Sequence, residues 1–290
     1  MSSITELRRP DPLLAVIWAV LGGPLLVGIA FMFAYSIGLT GLLSHGLSLS
    51  AWRKVLVDPV SWVTLGFSFW IGAASLGSAM AGALFLELVR PVGATSPRLA
   101  AWYLPIAVPP IVAALSAILW ISNSGFVARI AYALHWIDNP GDFPSPLYAR
   151  SGLGIIVTQA ALVLPFLVLL FDRLGRLHRV HAIAEVARTL GASPTKEWIG
   201  VRAPILLRAA MPALSVYFLA LSGAFEIPLL VGAQYPATLS VRVAQLFSQF
   251  DLSTRPEAYA LALLWAILVS MCLILIAKVR FGQRPKDDPV

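Results

Sequence analysis

Two sets of residues in this chain have types and spacings that can do chemistry. The first is a charged, glycine-punctuated stretch, Glu185-Val186-Ala187-Arg188-Thr189-Leu190-Gly191-Ala192, with Pro204 thirteen residues after the glycine. Its chemistry is recognition. Ile183, Val186, Ala187 and Leu190 recur at i, i+3, i+4 and i+7, which places an apolar stripe beside a polar face on one short helix. Such a helix can press into a groove on a soluble partner, with Glu185 and Arg188 fixing the register. An amphipathic helix lying on a membrane surface has the same pattern. The second set is polar and sits in or beside long apolar runs: Glu226, Asn123, Gln159 and Ser222. An ionisable side chain in such a run marks a pathway by default. Glu226 is therefore read as an acid near a pore or outer gate that favours a cation, and Asn123, Gln159 and Ser222 as residues that can line a polar pathway. Hydrogen bonding between helices is their other reading.

Other chemistries lack their residues. His178 and His181 stand at i, i+3 with no carboxylate to complete a metal site, and no nucleophile–base pair stands out. The phosphate-binding pattern of Gly, four residues, then Gly-Lys-Ser/Thr does not occur, so ATP is not expected to bind here by that route. The single cysteine, Cys272, lies in an apolar run and reads as a small apolar side chain.

The elements that must hold these residues are membrane helices. The chain is 59% hydrophobic and 12% charged, about half the charge of a soluble domain. Six apolar runs cover roughly residues 13–36, 62–89, 99–122, 153–172, 209–232 and 257–277, each near the ~20 residues that a hydrocarbon core requires. Period-2 alternation is absent, which argues against a β-barrel. The expected fold class is all-α, a single polytopic membrane domain of six transmembrane helices over residues 1–290. The first run follows Arg8 and Arg9 as a signal peptide would, but it is too long for an h-region and is read as a retained helix.

Charge placement orients the spans. With the N-terminus inside, the inner segments hold Arg8, Arg9, Arg90, Arg98, Arg173, Arg176, Arg179, Arg188, Lys196, Arg202, Arg208, Lys278, Arg280, Arg284 and Lys286, which is 15 of the 21 basic residues. Arg53, Lys54, Arg129, Arg150, Arg242 and Arg255 fall outside. The positive-inside bias then makes both termini cytoplasmic. The net charge of +7 thus reports topology and attraction to anionic lipid rather than nucleic acid.

Residues 173–208 form the longest cytoplasmic segment, too polar to span. His181 to Leu190 reads as a helix that Gly191 stops, because glycine tolerates the left-handed conformation at C′. Ser193 caps the next helix, Pro194 takes its first position and Glu197 its first turn. Trp198 and Val201 follow before Pro204. Two long outer loops, 37–61 and 123–152, can seat a soluble partner or serve as connectors; the second holds an amphipathic piece, Phe126 to Leu134. Pro105, Pro109 and Pro110 in the third run, Pro165 in the fourth, and Pro212 and Pro228 in the fifth predict kinked helices lining a cavity.

The segment resembles the EAA loop of binding-protein-dependent ABC importer permeases. That loop reads Glu-Ala-Ala, three residues, Gly, nine residues, Ile, one residue, Leu-Pro. Here Glu185, Val186, Ala187, Gly191, Val201, Ala203 and Pro204 fall at the matching offsets. Val186, Val201 and Ala203 depart from the pattern but stay small or aliphatic. Leu164-Pro165-Phe166 before the loop, and Gly223 to Leu230 after it, extend the likeness over the chain from about residue 62.

The resemblance implies an inner-membrane, multi-pass permease subunit with no cofactor of its own. ATP and Mg would sit on a separate ATP-binding-cassette ATPase dimer. A second permease half, the same or a related chain, would complete the pore, and an extracytoplasmic substrate-binding protein would dock outside. By position, Glu185, Ala187, Arg188, Gly191 and Ala192 would contact or shape the ATPase interface, and Pro204 would set the exit from the loop. The wording is most like the group handling polyamines, iron, thiamine or sulfate, with a lean to thiamine- or polyamine-like cations. The alternative is a secondary transporter, which would want midplane charge and repeats.

Overall fold

Long apolar runs in a chain this poor in charge fold as helices because a helix satisfies its own backbone. The computed structural model describes residues 12–41, 46–89 and 102–281, and every regular element among them is helical. In chain order these are α1 (Pro12–Ser36), α2 (Ser50–Val57), α3 (Pro59–Val89), α4 (Tyr103–Ile106), α5 (Pro110–Ile121), α6 (Phe126–Ala133), α7 (Leu153–Leu177), α8 (Val180–Thr189), α9 (Pro194–Glu197), α10 (Ala203–Ser222), α11 (Glu226–Val231), α12 (Leu239–Ser248) and α13 (Arg255–Phe281). A π-helical turn, Trp198–Arg202, joins α9 to α10.

Five stretches are long and apolar enough to cross a membrane: Pro59–Val89, Pro110–Ala133, Leu153–Leu177, Pro194–Ser222 and Leu252–Ile274. α1 has 25 residues, but its described apolar part, Val20–Ser36, is shorter than a full crossing. Arg8, Arg9, Arg90, Arg98, Arg284 and Lys286, and residues 99–101 of the third run, lie outside the described residues.

The structure moves several expected boundaries. The third run is not one helix. Pro109 and Pro110 have no N–H to donate, so the chain turns out of α4 at Ala107 and α5 restarts at Pro110. The fourth run passes through Pro165, which is buried within α7, and continues to Leu177. The fifth run ends ten residues early. α10 stops at Ser222, Gly223–Phe225 break the helix, and α11 is separate. Helix also begins earlier on that side, at Pro194, so the non-helical part of the 173–208 segment is short. Hydropathy cannot place these ends, because Gly223 and Pro109 interrupt runs whose composition stays apolar.

Two compact units emerge. One comprises the chain through Ser61 together with Val243–Ser270. Here α2 fills part of what reads as the first long loop. It buries Ala51 and Val55 and leaves Leu56 and Val57 exposed. The Trp52 indole N–H donates to Ser36 Oγ at 3.1 Å, and Tyr35 and Phe247 pack on Tyr259 with centroids 4.8 and 5.0 Å away. Lys54 Nζ meets Glu257 at 2.8 Å, and that hydrogen bond raises the Lys54 pKa above its ordinary value.

The other unit is Trp62–Arg242 with the residues from Met271. Ala79 and Ala83 of α3 meet Val163, Leu167 and Phe171 of α7, Val180 of α8, and Leu206, Ala210 and Leu214 of α10 in one apolar core. Small residues on α3 permit the close approach. At Gly72 an added Cβ would stand 2.7 Å from the Ser222 Cβ. A second core joins Ile71 of α3, Ala114 of α5, Ile155 and Ile156 of α7, and Ile227 and Val231 of α11.

Candidate functional site

The chain between α7 and α10 folds as the residue pattern dictates. Helix α8 spans Val180–Thr189, one residue off the expected His181–Leu190. Gly191 follows at φ +90°, a conformation that costs an L side chain about 1–2 kcal/mol. Its N–H donates to the Arg188 carbonyl at 2.9 Å, and the Ala192 N–H to the Ala187 carbonyl at 3.0 Å. These two bonds are a Schellman motif, which satisfies carbonyls that the helix end would otherwise leave bare. Ser193 Oγ then accepts from the Lys196 N–H, capping α9, and Pro194 occupies its first turn. Pro204 stands two residues after the π-helical turn, in a helix that runs on from Pro194, and its missing N–H removes one helical bond there.

The helix face is split differently from the expectation. Val180 and Ala184 are buried and Ala187 is half-buried, at i, i+4 and i+7, and Val180 of this line joins the core. Ile183, Val186 and Leu190 are 44%, 59% and 83% exposed. Ala187 therefore belongs beside the packed line, not with the open apolar face. Glu185 is exposed and makes no ion pair among the described residues.

Arg188 has a partner that its sequence did not announce: its side chain is 40% exposed, and its Nη2 donates to Glu197 Oε2 at 3.0 Å. Glu197 has no exposed side chain, and its Oε1 accepts from Arg202 Nε at 2.7 Å. Arg202 is buried too, with its guanidinium carbon 4.7 Å from the centre of the Trp198 ring. Sequence reading gave Glu197 only a first-turn place. The pair spans i to i+5, which an ordinary helix does not bring together; the π-helical turn between the two residues does. A carboxylate and an arginine five apart, flanking a tryptophan, were the available signal.

Near the base of α8, His181 Nε2 lies 3.8 Å from Glu87 Oε1, and Glu87 is 6% exposed. Arg90, three residues after Glu87, is outside the described residues. No group of three metal-ligating side chains occurs among the described residues.

The four pathway residues are not brought together as one lining. Gln159 is fully buried and spans three helices: Ser75 Oγ of α3 donates to its Oε1 at 2.8 Å, and its Nε2 donates to the Leu221 carbonyl of α10 at 3.2 Å. Ser222 is buried beside it, donating to the Leu219 carbonyl at 3.1 Å. Gln159 thus bonds between helices, whereas the Ser222 bond stays within α10. Asn123 is exposed in the turn after α5, with its amide 3.5 Å from the Gly141 carbonyl. Glu226 lies outside the long apolar helices; it opens α11, exposed, directly after the Gly223–Phe225 break. A cleft of about 320 Å³ lies at the α4–α5 break, with Pro105, Val108, Ser116, Trp120, Thr158 and Leu162 among its walls, and none of the four residues lines it.

Compared with known proteins, the chain matches no family model and no curated protein.

Proposed function

We propose that this chain is the membrane permease subunit of an ATP-binding-cassette importer. The observation that carries the reading is the α8 module: a helix stopped by a Schellman glycine at the EAA-loop position, with Ile183, Val186 and Leu190 exposed and Glu185 uncommitted. An apolar stripe with a free acid at its edge suits a groove on a soluble protein. That partner is an ATPase carrying ATP and Mg. In this reading six spans, the first of them α1, cross the cell's inner membrane with both termini cytoplasmic. A second permease half completes the pathway, and a substrate-binding protein delivers a small polar solute, with a thiamine- or polyamine-like cation preferred. Glu226, Asn123, Gln159 and Ser222 remain the pathway residues to test, with Glu226 foremost because its carboxylate is exposed beside a helix break.

The breaks at Ala107–Pro109 and Gly223–Phe225 favour a second reading, a secondary transporter, because discontinuous spans accompany ion and solute sites in that class. Mild-detergent purification of the tagged chain from its host separates the two. Recovery of a phosphate-loop ATPase, lost with Leu190→Glu, supports the importer. Recovery of the chain alone, while an importer in a parallel preparation keeps its ATPase, sinks it.

A further inference from the structure

Between the open face of α8 and the α10 span the backbone has two soft joints. The first is Gly191, whose left-handed turn has nothing within 4 Å of where a Cβ would stand. The second is the π-helical turn Trp198–Arg202, a geometry that recurs at functional sites and is looser than an α-helix. A load applied to α8 would bend these joints before it moved α10. The side chains oppose that. Glu197 sits between the joints in sequence. Arg188, three residues before Gly191, reaches across the first joint to Glu197 Oε2 at 3.0 Å. Arg202, at the end of the π turn, closes the second on Glu197 Oε1 at 2.7 Å. The carboxylate is wholly buried, so its bonds are made away from competing water and are stronger for it.

We infer that Glu197 is a positioning residue: with Arg188 and Arg202 it locks both joints, so that α8, the Gly191 turn and the start of α10 move as one body. The inference rests on the importer reading for its purpose and on the geometry alone for its mechanics. Arg188, 40% exposed against 4% for Arg202, is the leg that can be removed without leaving a buried cation unpaired. It carries the test.

In the full-length chain with Cys272→Ser, nitroxide labels at Ala182→Cys and Arg208→Cys report the distance from α8 to α10. The parent should give one narrow distribution, Arg188→Met and Glu197→Gln a broad one, and Arg188→Lys the narrow one again. Helix content should not change. A broad distribution in the parent, or an unaltered one in folded Arg188→Met, overturns the inference. Where the partner ATPase is bound, Arg188→Met should move roughly 5-fold or more less solute per ATP hydrolysed, and Arg188→Lys should restore it. Unchanged transport per ATP in Arg188→Met would contradict the purpose given to the lock. If the parent binds no ATPase, the importer reading fails, and the distance distributions still decide the lock.

Discussion

At the scale of single residues, Glu197 and Gly191 make opposite kinds of demand. Glu197 is a buried charge held by two arginines, and removing one partner of such a set costs about 3–5 kcal/mol because the other charge stays buried. Arg202→Met should therefore lower the unfolding temperature in detergent far more than Arg188→Met, whose guanidinium is screened by solvent. Equal losses would mean that both arginines are buried alike in solution. Gly191 demands only a backbone conformation. Space is open around it, so Gly191→Asn, which tolerates the left-handed turn, should keep solute uptake, while Gly191→Val should abolish it without unfolding the spans. Wild-type uptake in Gly191→Val would count against the turn's role. Glu226 is the weakest of the sequence-derived site residues, because it is exposed at the start of a short helix and lies outside the long apolar ones. Glu226→Gln should still shift uptake away from cations; unchanged preference removes it from the pathway.

At the scale of elements, the close approach of α3 and α10 is the most fragile packing. Gly72→Leu would drive a side chain into Ser222, an overpacking worth about 1–3 kcal/mol, and should lower thermal stability, where Gly77→Leu, with nothing within 4 Å, should not. The long spans were legible in the sequence because twenty apolar residues have few other uses. The short helices α2 and α12 were not, since eight to ten residues of mixed polarity look like loop. The end of α10 was missed because Gly223 breaks a run that stays hydrophobic through Val231. The α8 turn was legible to the residue, because Gly191, Ser193 and Pro194 each have a single local use. The pairing of Glu197 was not, because it depends on a π turn that no periodicity announces.

At the scale of the whole molecule, five long apolar helices place this chain in a membrane, and α8 combines charge, exposure and an ordered turn. Cores formed from α3, α7, α8 and α10 give that helix a firm base, while Ile183, Val186 and Leu190 remain open to a partner. We propose that the partner is an ATPase seated on this face. Its most direct test is a photo-crosslinking amino acid placed at Val186 or Leu190 in the full chain in its native membrane, with Tyr132 on α6 as the control position. A crosslinked product is expected from Val186 and Leu190, identified by mass as a phosphate-loop ATPase, and none of it from Tyr132. Crosslinks from Val186 and Leu190 to lipid alone would show α8 lying in the membrane surface and would contradict the claim.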